Sequence, residues 1–258
     1  MALTSKGPIS VPAQLTVAAG LTAVTFKVTS QVVSEVTAAQ VIASYGVFNT
    51  KSADLSVGRN VVSTVGMNPF DVVGGNASTG TVKLTGPAGP TGLTVSLNVK
   101  PDLWVCGPLP TVPPSVRIPA GSSAASFPVT TQPAVGSVHI TANGAPGEFA
   151  YNSLFVAGPR LGDHALELPA SIKGGTTVQA KLRTEGVAGP ATCNNSHKLE
   201  SSNTLYAQVL PSVAVSPGAS MTMFPITTSA VATAQTVTIK VFDSYRSNYT
   251  TATMTITP

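Results

Sequence analysis

At 258 residues the chain has room for two or more domains of ordinary size. Only 9% of residues are Asp, Glu, Lys or Arg, and the 14 basic ones behind the net charge of +4 are scattered, as Lys27, Lys83, Arg117, Lys181 and Arg246 illustrate. Nucleic-acid binders carry a basic stripe, often interleaved with aromatics; with 5% aromatics and no stripe, that class of partner is set aside.

Mean hydropathy is positive, yet no apolar run approaches the roughly 20 residues a membrane helix needs, so no membrane insertion is expected. The opening MALTSKGPISVP has no apolar h-region and does not read as a secretory signal. A signal already removed, export by another route, and release by lysis (as for a virus particle protein) all stay open. Gly (23) and Pro (21) punctuate a chain rich in Val, Thr, Ala and Ser. β-Branched residues suit a pleated surface and Gly and Pro suit turns, so the expected class is all-β.

In chain order, VPAQLTVAAGLTAVTFKVTSQ (11–31) predicts two short strands about a turn at Gly20. Val24, Phe26 and Val28 alternate with Thr25, Lys27 and Thr29, which puts the Phe row inside and the Lys row outside. A strand through Val41 to Tyr45 follows, its facing blurred by Ile42, and then ADLSV (53–57). Gly74-Gly75 precedes TVKLT (81–85), a turn at GPAGPTG (86–92) and LTVSLNV (93–99). VPPSVRIPAGSSAASFPVTTQ (112–132) then repeats the opening segment, with Gly121 and Phe127 for Gly20 and Phe26. Val138, Ile140 and Ala142 face in, Ser137, His139 and Thr141 face out, and SLFV (153–156) closes this copy. Gly174-Gly175, TTVQAKLR (176–183) and the turn GVAGPA (186–191) begin the next; TCNNSHKLESSN (192–203) is too polar to read clearly as a strand. LPSVAVSPGASMTMFPITTS (210–229) is the third copy, with Gly218 and Phe224, followed by inward Val237, Ile239 and Val241 and by TMTIT (253–257). Pro128 and Pro225 have no N–H to donate, which assigns their strand to a sheet edge or a bulge.

Gly20, Gly121 and Gly218 stand 101 and 97 residues apart, and the two Gly-Gly pairs stand 100 apart. A period that long is a whole domain. About seven strands per period, broken by turns, is the pattern of an immunoglobulin-like (Ig-like) β-sandwich. The expected division is a partial unit over 1–58, a sandwich over 59–157 and a sandwich over 158–258. Residues 1–58 hold only the second half of a unit, which would expose an apolar face and open strand edges. Two explanations stand: a longer parent or a smaller first domain that pairs with its neighbour, or completion by another chain through β-strand addition.

The run VGGNASTGTVKLTGPAGPTGLTVSLNV, with VPPSVRIPAGSSAASFPVTT and VHITANG after it, resembles the Ig-like repeats of large bacterial secreted and surface proteins. Related modules also occur in bacteriophage structural proteins. The resemblance covers most of 59–157, the second half of 158–258 and part of 8–57, and it implies a spacer, adhesion or structural role.

Chemistry-bearing residues are sparse. His139 points outward on its strand, His164 follows Asp163 in a connection, and His197 lies four residues after Cys193 without a second ligand pair for zinc. Glu167, Glu185 and Glu200 are too dispersed for calcium, and no HExxH, GxSxG or phosphate-loop motif is present. No catalytic residue, metal or cofactor is therefore expected. Cys106 and Cys193 form one bridge or remain two buried thiols; their non-equivalent places argue against an antibody-type bridge and leave one between units possible. Sequons at Asn76, Asn194 and Asn248 are expected by chance in so Ser/Thr-rich a chain. The single tryptophan, Trp104, has apolar neighbours in Leu103, Val105 and Cys106, which predicts a core position; exposed, it would be a partner or sugar contact, with Tyr206 the other aromatic near a candidate loop.

The expected function is non-enzymatic: a stalk, fibre subunit or surface or particle decoration that associates with itself or a neighbouring subunit through residues 1–58. The alternative is a carbohydrate- or receptor-binding adhesion module with specificity in loops 100–112 or 192–203. The expected location is extracellular or cell-surface, with the virion as the alternative.

Overall fold

The computed structural model describes residues 1–244 and 247–258. Arg246, one of the scattered basic residues, lies outside them, and so does the side chain of Leu103. The chain is all-β. Its first part holds β1 (Ala2–Lys6), β2 (Ile9–Ser10), β3 (Thr29–Ser30), β4 (Thr37–Tyr45) and β5 (Asn49–Val57). Then come β6 (Val62–Asn68), β7 (Asp71–Val73), β8 (Ala77–Leu84), β9 (Leu93–Cys106), β10 (Ser115–Ile118), β11 (Ala124–Thr130), β12 (Val135–Asn143) and β13 (Phe149–Ala157). The last part holds β14 (Leu166–Glu167), β15 (Ser171–Lys173), β16 (Thr177–Arg183), β17 (Ser196–Ser201), β18 (Ala207–Val209), β19 (Ser212–Ala214), β20 (Met221–Thr228), β21 (Gln235–Phe242) and β22 (Tyr249–Thr257).

Strands β6 to β13 form two sheets, ordered β11-β8-β6 and β10-β9-β12-β13-β7, with β7 parallel to β13. Strands β14 to β22 repeat this as β14-β16-β20-β18 and β15-β22-β21-β17-β19, again with one parallel pair, β15 to β22. Strands β6, β8 and β11 of the first set, and their counterparts β14, β16 and β20 of the second, lie in one sheet and the later hairpin in the other, which is the Greek-key partition of an immunoglobulin sandwich. The reason is the alternation itself. Along β12, Val138, Ile140 and Ala142 are buried while Ser137, His139 and Thr141 are partly exposed, and β21 does the same with Val237, Ile239 and Val241. The repeated turn glycines adopt the same left-handed conformation, with φ of 85°, 75° and 77° at Gly20, Gly121 and Gly218.

Three readings of the sequence are corrected. The polar stretch 192–203 does contain a strand, β17, because His197 and Leu199 alternate into the core between solvent-facing Ser196, Lys198 and Glu200. Pro128 lies on an edge strand, as its missing N–H requires, but Pro225 lies in β20, which has neighbours on both sides. It is tolerated there because β18 pairs only with residues 226–228, leaving the Pro225 nitrogen beyond the ladder. Phe26 is not buried: it is 37% exposed, whereas its counterparts Phe127 and Phe224 are 3% and 1% exposed.

The reason lies in the first part's topology. Strands β1, β4 and β5 form one three-stranded sheet, and β2 pairs with β3. By register β1 occupies the place of β9: Leu3 N–H donates to Ala13 O at 3.0 Å as Leu97 N–H donates to Pro114 O at 2.9 Å. Strands β4 and β5 take the places of β12 and β13. Among the described residues the first part has no counterpart of β6, β7 or β8, so residues 22–28, which match β11, have no neighbouring strand. Among the described residues the core here is Ile9, Val33, Ala39, Val41 and Val57, against seventeen and fourteen buried residues in the other two clusters.

Candidate interaction surface

Residues 22–28 belong to no strand, and Leu21, Val24, Phe26 and Val28 are all exposed. Among the described residues, no backbone hydrogen bond outside the strands involves positions 22–28. The same alternation in β11 is satisfied on both counts: its backbone pairs with β8 from Ala124 opposite Lys83 to Thr130 opposite Ala77, and its Phe and Val enter the core. At the end of the same unit, the turn between β4 and β5 presents Tyr45, Val47 and Phe48, the last 95% exposed, beside Met1 and Leu21. Exposed aliphatic and aromatic side chains and backbone groups without a strand neighbour thus lie together at this end of the first part.

The junctions between successive parts use the same two loops each time. At the first, Thr91 Oγ1 donates to Ser34 Oγ at 2.9 Å and Gly89 lies against Ser34. At the second, Gly186 packs on Val73, Gly189 lies near Pro133, and Cys106 at the end of β9 is disulfide-bonded to Cys193, their Cα atoms 5.5 Å apart. The bridge therefore joins two sandwiches. Arg160 in the connection forms an ion pair with Asp71 of β7 and exchanges backbone hydrogen bonds with Glu185 at 2.8 and 3.1 Å.

Of the aromatics singled out from sequence, Trp104 is 58% exposed, which corrects the core placement. It sits where the β9–β12 register shifts, between Pro101 opposite Val138 and Val105 opposite Gly136, so extra residues of β9 bulge outward and carry the indole with them. Tyr206 is half-buried against the core of the last sandwich, whereas Trp104 belongs to the middle one. Sequence reasoning missed Phe48, Phe149 and Tyr249, which recur at the start of the last strand of each part, all exposed. Their spacing of about one period was the available signal. Lys240 Nζ lies 3.6 Å from the Tyr249 ring centre and 4.6 Å from that of Phe242.

The ionisable candidates are occupied by neighbours. His139 is partly covered rather than free in solvent: its Nδ1 is 3.1 Å from Ser153 Oγ, its Nε2 is 3.7 Å from Asp102, and its ring meets Tyr151 edge-on. A carboxylate at 3.7 Å is beyond the roughly 2.7–3.2 Å of an orienting hydrogen bond, so the trio lacks the geometry of an activated serine. Arg183 Nε donates to Glu167 at 2.8 Å and holds its carboxyl below the usual carboxylate range, with Lys181 adding to the effect. Glu200 pairs with Lys198 at 2.7 Å. Among the described residues no three His, Cys, Asp or Glu side chains converge as a metal site, and no helix is long and apolar enough to cross a membrane.

No family model and no curated protein matches the chain. Among solved structures it is similar to the Yersinia pseudotuberculosis adhesin InvE, with 13% identity and a TM-score of 0.39 over 76% of this chain and 58% of that one. It is also similar to the Escherichia coli adhesin FdeC, with 11% identity and a TM-score of 0.38 over 100% of this chain and 85% of that one. A fragment of the ICAM-5 ectodomain matches at 15% identity and a TM-score of 0.38, over 99% of this chain and 72% of that one.

Proposed function

We propose that the chain is a non-enzymatic structural module of an extracellular or cell-surface assembly, a stalk or fibre subunit built from consecutive Ig-like units over 1–58, 59–157 and 158–258. The observation that carries this reading is the repeated junction. The same pair of loops meets at both junctions, and the second is closed by the Cys106–Cys193 bridge and the Arg160–Asp71 ion pair. A spacer needs its units held at a fixed angle, and a covalent link across a junction supplies that restraint. A disulfide also suits an oxidising, extracytoplasmic setting. Residues 1–58 are the part that meets a partner, because their apolar segment is the one left without a neighbouring strand.

Small-angle scattering with and without reductant tests this. Reduction should increase the radius of gyration while far-UV circular dichroism stays unchanged, since each sandwich keeps its own core. Identical scattering in both states would remove the bridge as the element that fixes the junction. A second reading, glycan binding, is favoured by the exposed aromatics Trp104, Phe48, Phe149 and Tyr249; a glycan array decides it.

A further inference from the structure

We infer that residues 22–29 are the acceptor for one incoming β-strand of defined sequence character, contributed by a polypeptide segment outside these 258 residues, with a glycine or alanine opposite Phe26. This rests on the reading of residues 1–58 as the partner-meeting part and adds what the partner must look like. The chain itself displays the answer twice. In the middle sandwich Phe127 of β11 lies opposite Gly80 of β8, and a Cβ built on Gly80 would collide with the Phe127 ring. In the last sandwich Phe224 of β20 lies opposite Ala180 of β16. The Phe127 ring covers Gly80, and in both sandwiches one of the two smallest residues stands opposite the buried Phe. Two residues to one side of that small residue the facing strand carries a buried apolar side chain, Val82 or Leu182. By register, the strand facing residues 22–29 runs antiparallel, places its glycine or alanine against Phe26, and packs an apolar residue opposite Val24.

A second copy of this chain is a poor donor. Strand β8 is already paired on both sides by β6 and β11, and β16 by β14 and β20. Donating either would break open a closed core.

The test uses the intact chain and a synthetic peptide of residues 77–85, ASTGTVKLT, read by hydrogen exchange at 22–28 together with light-scattering mass. The peptide should slow exchange at 22–28 at least tenfold. The same peptide carrying Gly80→Val should not, and the chain variant Phe26→Ala should regain binding of that bulkier peptide. Equal protection by both peptides, or none by either, overturns the size code opposite Phe26. A dimer in which 22–28 is protected without peptide overturns the inferred donor while leaving the partner-meeting role of residues 1–58 in place. Protection of 22–28 in a peptide-free monomer overturns both.

Discussion

His197 is fully buried at the start of β17, and its Nδ1 is 3.1 Å from the Phe242 carbonyl while its Nε2 has no partner. The Nδ1–H donating to that carbonyl leaves Nε2 bare, and a proton added there would meet no acceptor. Burial accordingly lowers the His197 pKa from its ordinary 6.5, and the Phe242 carbonyl and Asp243 offset this only in part. In the unfolded chain the same imidazole takes up a proton below about pH 6.5, so acid favours unfolding. Stability contributed by neutral His197 is therefore complete above pH 6.5 and declines as the pH falls from there toward the folded value. Urea denaturation at pH 7.5 and 5.5 should show a loss at the lower pH that His197→Met reduces; an unchanged difference in the variant would assign the loss to other groups. In the sequence His197 stood out only for its place four residues after Cys193, without a second ligand pair for zinc. Its structural role was hidden because the polar residues on either side masked the alternation of β17.

At the scale of the strand, one sequence pattern has three outcomes that differ only in what lies beside it. Phe26, Phe127 and Phe224 occupy equivalent positions, and local pattern assigns all three to a core. Two of them have a β8-type neighbour and are buried; the third has none and is exposed. Phe127→Ala should therefore cost about 3–5 kcal/mol of stability, the value for a buried aromatic. Phe26→Ala should cost within about 0.5 kcal/mol, as exposed positions do. Chemical denaturation of the two variants compares them directly, and equal losses would mean that Phe26 is already packed. The same contrast explains what was legible in sequence. Alternation, the repeated glycines and the spacing of the Gly-Gly pairs are local, and the strands they predict at 81–85, 93–99, 138–142 and 237–241 are present. Trp104 was misplaced for the opposite reason: its apolar neighbours are local, but the register shift that turns it outward depends on pairing with β12, which no single strand encodes.

At the scale of the whole molecule, two closed sandwiches are joined by a disulfide and preceded by a part that has one sheet of a sandwich and a single unpaired segment of the other. The pairing of Cys106 with Cys193, 87 residues apart, was one of two options from sequence, since counting cysteines shows that a bridge is possible and not that two units are brought together at that point. Exposed aromatics recur along the chain at about the unit spacing, while among the described residues the Phe-bearing segment lacks a neighbouring strand only in the first part. Binding by strand addition should accordingly be localised there. Hydrogen exchange on the chain alone tests that asymmetry most directly, by comparing residues 22–28 with the equivalent strands 124–130 and 221–228. The account predicts near-unprotected amides in the first segment and strong protection in the other two. Comparable protection in all three would contradict it, because the first part would then be closed by its own chain or by a second copy.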